Sequence, residues 1–277
     1  MYQRKDWLEK FRRDEIVTPL REDPRTKNNE IFGHSPDWNF RIGIGGGQAD
    51  FDEEVDNLKP RDRAMLYAYF NQKAHVDELI HAFNQLVSGP ADMAGITVLD
   101  IGCGPFTAGL ALANIVGPQE SFIYHGIDRC KSMRDVGSMF ATKVREVNET
   151  HPETWISFHE SLNDVQFAKQ PPNKIIVVIL SYLFASATID VNALADEIIE
   201  ACKKIGWGPV FVFYTNTTRE AAGANFPAFR DKMISEGFTI EADCVENFID
   251  TDKPRKIHYA LFVRPVISKI SSSQFQI

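Results

Sequence analysis

The chain is predicted to fold as an α/β protein: a doubly wound, mostly parallel seven-stranded sheet with an antiparallel terminal hairpin, plus an N-terminal helical extension. Three observations predict it. From Ile96 onward, short apolar segments alternate with amphipathic ones, the pattern of strands and helices in an open parallel sheet. Ile175 to Leu180 is an unbroken apolar run, as a strand covered on both faces requires. The last two apolar segments are separated only by Asp250-Thr251-Asp252-Lys253-Pro254, too short for a helix, so they pair antiparallel.

Residues 1–60 are polar and rich in Arg, Asp, Asn and Pro, with little periodicity. Within them Gly43-Ile44-Gly45-Gly46-Gly47 precedes the acidic Asp50-Phe51-Asp52-Glu53-Glu54, and suits either a mobile lid or a loose linker. Pro60 opens a helix in which Leu66, Tyr69, Phe70, Leu79, Ile80, Phe83 and Val87 recur at helical spacing. Its polar face carries Asn71, His75, Glu78 and Gln85, and Ser88-Gly89-Pro90 stops it. Residues 1–95 are therefore an extension, irregular and then helical, and residues 96–277 form the α/β domain.

In that domain strands are expected over Ile96 to Asp100, Ser121 to Asp128, Trp155 to His159, Lys174 to Ser181 and Pro209 to Tyr214. The Lys174 strand, being the most apolar, belongs at the centre. Helices are expected over Thr107 to Val116, Lys131 to Asn148, Asp190 to Ile205 and Phe226 to Glu236, with Gly117-Pro118, Gly206 and Gly237 closing three of them. Strands over Thr239 to Phe248 and Lys256 to Val263 complete five βα units and a hairpin.

Hydrophobic residues make up 44% of the 277 and charged residues 25%, ordinary proportions for a globular chain. A net charge of -8 argues against non-specific grip on a phosphate backbone and favours a small-molecule substrate. Arg4, Lys5, Arg12, Arg13 and Arg21 still offer a local basic run that suits a specific RNA or protein partner. The N-terminus lacks the apolar core of a signal peptide, and no uncharged stretch approaches the roughly 20 residues of a spanning helix. Cys103, Cys130, Cys202 and Cys244 are scattered, with no C-x-x-C pair or histidine at metal spacing. Free thiols in the cytoplasm, no membrane and no metal are the expectation.

The chemistry concentrates in Val98-Leu99-Asp100-Ile101-Gly102-Cys103-Gly104-Pro105-Phe106-Thr107, a strand feeding a glycine turn that opens a helix. Gly102 and Gly104 let the backbone bend sharply and a ligand lie against it, and the first amides of the helix face the same space. The dinucleotide fingerprint G-x-G-x-x-G/A fails at Thr107, and the phosphate-loop pattern has no G-K-S/T. At the end of the next strand, Asp128 in His125-Gly126-Ile127-Asp128 is an acceptor able to bridge two hydroxyls, or alternatively a helix cap.

This stretch resembles motif I of the class I S-adenosylmethionine-dependent methyltransferases, which have a Rossmann-like fold, and the resemblance runs from about Ile96 to Val263. That family usually continues with a glycine where this chain has Phe106. Its sheet differs from the NAD-binding one by an antiparallel last strand inserted beside its neighbour, and this chain ends in a hairpin at that place. The resemblance implies that S-adenosylmethionine is the cofactor. Asp128 would hold its ribose, Asp100 the loop or the methionine amine, and Cys103 would line the pocket through its backbone. Ser161 and Leu162 would flank the adenine, Ser161 doubling as a helix N-cap.

The acceptor in this family meets the end of the fourth strand, here Ser181-Tyr182-Leu183-Phe184. No Asn/Asp-Pro-Pro-aromatic turn is present and no cysteine follows a proline, which disfavours two nucleobase-methylating classes. Tyr182, Tyr214 and Asn216 near strand ends could orient a substrate, and His75 could act as a base; packing, capping and solvation are their plainer roles. Three functions remain open: a methyltransferase on a small molecule, RNA or protein; a catalytically silent cofactor-binding module; and an NAD-dependent oxidoreductase, which Thr107 and the hairpin oppose.

Overall fold

Seven strands form one sheet: β1 (Thr97–Ile101), β2 (Ile123–Ile127), β3 (Trp155–His159), β4 (Ile176–Ser181), β5 (Val210–Thr217), β6 (Thr239–Phe248) and β7 (Arg255–Arg264). The order is β3-β2-β1-β4-β5-β7-β6, parallel from β3 through β5, with β7 antiparallel and inserted between β5 and β6. These are features of a computed structural model that describes residues 4–84, 93–172, 174–186, 188–249, 251 and 255–266. The expected stop at Ser88-Gly89-Pro90 and the residues Gln85 and Val87 lie outside the described residues, as does most of the Asp250 to Pro254 turn.

β4 occupies the centre, and its pleat explains its composition. Ile176, Val178 and Leu180 enter the hydrophobic cluster on one face, and Val177 and Ile179 the cluster on the other. Each such fully buried aliphatic side chain contributes about 1.5–3 kcal/mol. Helices α6 (Thr107–Val116), α7 (Lys131–Glu146), α8 (Val191–Ile205), α9 (Glu220–Gly223) and α10 (Phe226–Ser235) cover the two faces. Asp190 caps α8 by accepting from the amides of Asn192 and Ala193, both at 3.0 Å. The expected five βα units become four, because β3 reaches β4 through a single 3-10 turn, Leu162–Asp164.

The extension departs most from expectation. Residues read as irregular form α1 (Asp6–Arg12), a π turn over Arg13–Val17, and α2 (Thr18–Glu22). Then come α3 (Pro36–Trp38), a π turn over Asn39–Gly43 and a 3-10 turn at Gly45–Gly47. The expected long helix is α4 (Pro60–Tyr67), a π turn over Ala68–Gln72, and α5 (Lys73–Asn84). Leu8, Phe11, Ile16, Leu20, Phe32 and Phe51 join the same core cluster as Val98 of β1.

A third layer is the physical reason. Every residue of α6 is buried, because its TAGLALANIV sequence is apolar all round and α5 packs on the side turned away from the sheet. Polar latches tie the layers together. Gln72 donates to the Pro105 carbonyl at 2.7 Å, the Lys5 amide donates to Asn114 Oδ1 at 2.8 Å, and Asp52 accepts from the Lys131 and Ser132 amides at 2.7 and 2.8 Å. Asp52 thereby caps α7 from outside it. Buried Arg63 holds the loop in place, donating Nε to the Gly43 carbonyl at 2.7 Å and Nη1 to the carbonyls of Asp50 and Glu53.

One expectation about charge is corrected. The polar face of the long helix is not solvated: His75 and Glu78 are buried against the sheet end. The basic run is only partly engaged: Arg4 pairs with Asp77 and Glu9, Arg12 donates to the Tyr69 carbonyl and Arg13 pairs with Asp14, while Lys5, Arg13 and Arg21 stay exposed. Among the described residues, no helix is long and apolar enough to cross a membrane.

Candidate functional site

The carboxyl ends of β1 and β2 meet at the glycine turn. Gly102 (φ 72°) and Gly104 (φ 52°) hold left-handed backbone, which glycine adopts without steric cost. A Cβ on Gly102 would also lie 2.8 Å from Leu183 Cδ1. The amides of Gly102 and Cys103 donate to the Ile127 carbonyl at 2.8 and 3.0 Å. That of Gly104 donates to Asp128 Oδ2 at 3.0 Å, and the Cys130 amide to Asp128 Oδ1 at 2.9 Å. Asp128 is thus clamped between the turn and the entry to α7, with burial pushing its carboxyl above the usual range against those two amides. The Gly102, Cys103 and Gly104 amides are thus all engaged within the protein, and the Thr107 amide returns to the Cys103 carbonyl at 3.3 Å.

Asp100 sits beneath the turn and not in its wall. It accepts a hydrogen bond from the Tyr124 hydroxyl, and burial raises its carboxyl to about 7. Phe106 takes the left-handed backbone (φ 67°) natural to the glycine it replaces, yet its ring is wholly buried. It points into the core against Tyr124 and Phe158, with centroids at 5.0 and 5.9 Å. Gly109 makes the room, since a Cβ there would come within 1.9 Å of the Phe106 ring.

Above the strand ends opens a cleft of about 920 Å³. Gly102, Gly104 and Asp128 line it, together with Ser161, Leu162, Ser181, Tyr182 and His75. Ser161 caps the 3-10 turn: its amide and hydroxyl both donate to Asp164, at 2.9 and 2.7 Å. Ser181 Oγ accepts from the Thr215 hydroxyl at 3.0 Å. Besides Tyr214, which is fully buried in the core, three expected residues stay out of the wall. Asp100 is one; Cys103 is another, its thiol buried and facing the Gly104 carbonyl. The third, Asn216, is fully buried, donating to the Tyr214 hydroxyl and the Ala222 carbonyl, each at 3.0 Å, and accepting from the Thr217 amide at 2.8 Å. Pleat alternation puts Thr217 in the wall instead.

Sequence reasoning missed three groups that the long helix and β7 bring here. The Tyr67 ring lies over the turn, 3.6 Å from where a Gly104 Cβ would stand and 3.4 Å from that of Gly47. Its hydroxyl meets His75 Nδ1 at 3.4 Å, and the His75 ring stacks on Tyr182 at 3.9 Å and 15°. Glu78, without solvent exposure, accepts from Arg255 Nε at 2.5 Å, and the Arg255 guanidinium lies 5.6 Å from the centre of the Tyr182 ring. The Tyr182 hydroxyl is buried beside Glu78 without closing a hydrogen bond. Glu78 and Arg255 are 177 positions apart, so no local pattern signals the pair.

Burial, with Arg255 adding to it, pushes the His75 imidazole down to about 3. Its folded value lies below its unfolded one near 6.5, so the unfolded chain binds more protons between those limits, and stability is lost as pH falls through that window. Asp100, raised to about 7, works in the opposite sense, stabilising most at low pH and losing that contribution as pH rises from about 4 to 7. The histidine contribution is therefore read as a difference. In thermal melts from pH 7 to 4, a His75→Phe variant, which keeps the stack on Tyr182, should lose less melting temperature than the wild type. Parallel curves would remove His75 as the source.

No protein-family model matches the chain, and no curated protein matches it. Several solved structures are similar. Magnesium protoporphyrin IX methyltransferase from Synechocystis, with bound SAM, is 13% identical over 83% of this chain and 94% of its own, with a TM-score of 0.44. A SAM-dependent methyltransferase from Aquifex aeolicus is 14% identical over 75% and 99%, with a TM-score of 0.47. An arsenic(III) S-adenosylmethionine methyltransferase from Chlamydomonas reinhardtii is 13% identical over 72% and 74%, with a TM-score of 0.44. The strand order, with its inserted antiparallel β7, defines the fold as that of the class I S-adenosylmethionine-dependent methyltransferases.

Proposed function

We propose that this chain is an S-adenosylmethionine-dependent methyltransferase acting on a small molecule in the cytoplasm. The observation that carries the reading is the state of the glycine turn. Its amides are engaged internally, and a carboxylate stands where a pyrophosphate would need free N–H groups. An anionic dinucleotide is repelled there, and a cationic sulfonium ligand is favoured by the same charge.

When bound, S-adenosylmethionine supplies an electrophilic methyl group on a positively charged sulfur. The residues present fit it. Gly102 and Gly104 let the backbone approach closely, and the remaining lone pairs of Asp128 accept from the ribose hydroxyls. Leu162 and Ser161 flank the adenine, and Ser181 borders the pocket beside them. Tyr67 covers the turn, excluding water from the reacting end. On the acceptor side Tyr182 orients the substrate, and His75, kept neutral at physiological pH by burial, offers a ring nitrogen as a hydrogen-bond partner for the acceptor.

Calorimetric titration with S-adenosylmethionine and NAD tests the donor. The former should bind and the latter should not. Tight NAD binding without a response to S-adenosylmethionine overturns the reading. Transfer of a labelled methyl group into a small-molecule fraction of a lysate then separates an active enzyme from a silent module.

A further inference from the structure

The cleft wall changes character from one end to the other. Near the glycine turn it carries Asp128, and at the far end Arg219, Arg255 and Lys256, from the end of β5 and the start of β7. Among the described residues no acid pairs with Arg219 or Lys256, whereas Glu78 holds Arg255. That bond fixes the guanidinium. Nε is committed to Glu78 and Nη2 is shut away from solvent, while the side chain as a whole is 37% exposed and lines the cleft. The same wall carries the hydroxyls of Ser186, Thr217 and Thr218.

We infer that the methyl acceptor is a polar small molecule bearing one carboxylate, which Arg255 anchors while Arg219 and Lys256 draw it to the mouth. The inference rests on the methyltransferase reading of the same cleft. A guanidinium held flat by one partner presents its free N–H to an oxyanion with little ordering cost, which suits carboxylate capture. Charge sets the valence. Glu78 balances Arg255, and Glu197 faces the same space, leaving a single excess positive charge at this end. A monoanion matches that, and a phosphate dianion or a nucleic-acid backbone exceeds it. Glu78 is a positioning residue here: buried beneath Arg255, it aims the guanidinium without touching the ligand.

The test uses the full chain saturated with S-adenosylhomocysteine and three probes: benzoate, its uncharged isostere benzamide, and phenyl phosphate. Benzoate should bind at least about tenfold tighter than benzamide, the factor expected of one charge-assisted hydrogen bond, and phenyl phosphate no tighter than benzoate. Arg255→Gln alone would strand a buried carboxylate and risk unfolding, so it is paired with Glu78→Gln, which removes both charges and leaves two neutral polar amides in their place. That double variant should erase the preference for benzoate. Arg219→Gln with Lys256→Gln, at exposed positions, should slow benzoate association and flatten its salt dependence.

Equal binding of benzoate and benzamide overturns the inference, as does a benzoate preference that survives both double variants. Tighter binding of phenyl phosphate replaces the carboxylate with a phosphate ester, and displacement of benzoate by an RNA oligonucleotide replaces the small molecule. S-adenosylmethionine is titrated separately into each protein free of S-adenosylhomocysteine. If it fails to bind, the donor assignment has failed; if it binds and benzoate does not, only the acceptor inference has.

Discussion

Replacing Asp128 with alanine should weaken S-adenosylmethionine binding on the order of a hundredfold, since two charge-assisted hydrogen bonds at about 1.5–3 kcal/mol each are lost, partly offset by water. The variant also releases the Gly104 and Cys130 amides, so the turn loses its tie to α7 and the unliganded protein softens by about 1–3 kcal/mol. Asp128→Asn keeps the shape and one acceptor oxygen, and should fall between the two in both respects. Calorimetry gives the affinity, and melting without ligand gives the cost to the fold. Unchanged affinity in the alanine variant would remove Asp128 from the ribose. A sheet that unfolds would mean the clamp is structural before it is functional.

At Phe106 the ordinary ranking of substitutions should invert. The ring is fully buried, so Phe106→Ala costs about 3–5 kcal/mol, or on the order of 10 °C of melting temperature for a chain of this size. Alanine leaves the left-handed backbone in place, and with it a strain of about 1–2 kcal/mol that the ring's burial had offset. Glycine removes that strain. Phe106→Gly should therefore melt above Phe106→Ala although it deletes more of the side chain, and both should still bind S-adenosylmethionine, because the ring faces the core. Alanine melting above glycine would show that the φ of 67° is not maintained without the ring.

Much of the sheet was legible because its signals are local. A strand buried on both faces must be apolar throughout, and Ile175 to Leu180 is; β6 and β7 had no room for a helix between them. The N-terminal helices were hidden by their own irregularity. Leu8, Phe11, Ile16 and Leu20 all face the core, but the π turn over Arg13–Val17 inserts an extra residue and breaks the 3.6-residue rhythm that reveals a helix. A signal was present elsewhere: α6 is apolar on every side, and such a helix demands a further covering layer. In the candidate site, Gly102, Gly104 and Asp128 were readable because a strand, a turn and the end of the next strand are close in sequence. Asn216 was misplaced by one pleat position, and Arg255 with Glu78 were invisible because only tertiary structure joins them.

Asp52 gives the N-terminus of α7 its cap from about eighty positions upstream. The helix that follows Asp128 is therefore completed by the extension, and so is the far side of α6 through α5. The extension cannot be exchanged between related chains as a cassette, since removing it would uncap one helix and bare the apolar flank of another. Tyr67, His75, Gly46 and Gly47, which line the cleft, can therefore change only in ways compatible with those supports, so the wall of the cleft and the stability of the sheet's cover are inherited together along one stretch of chain.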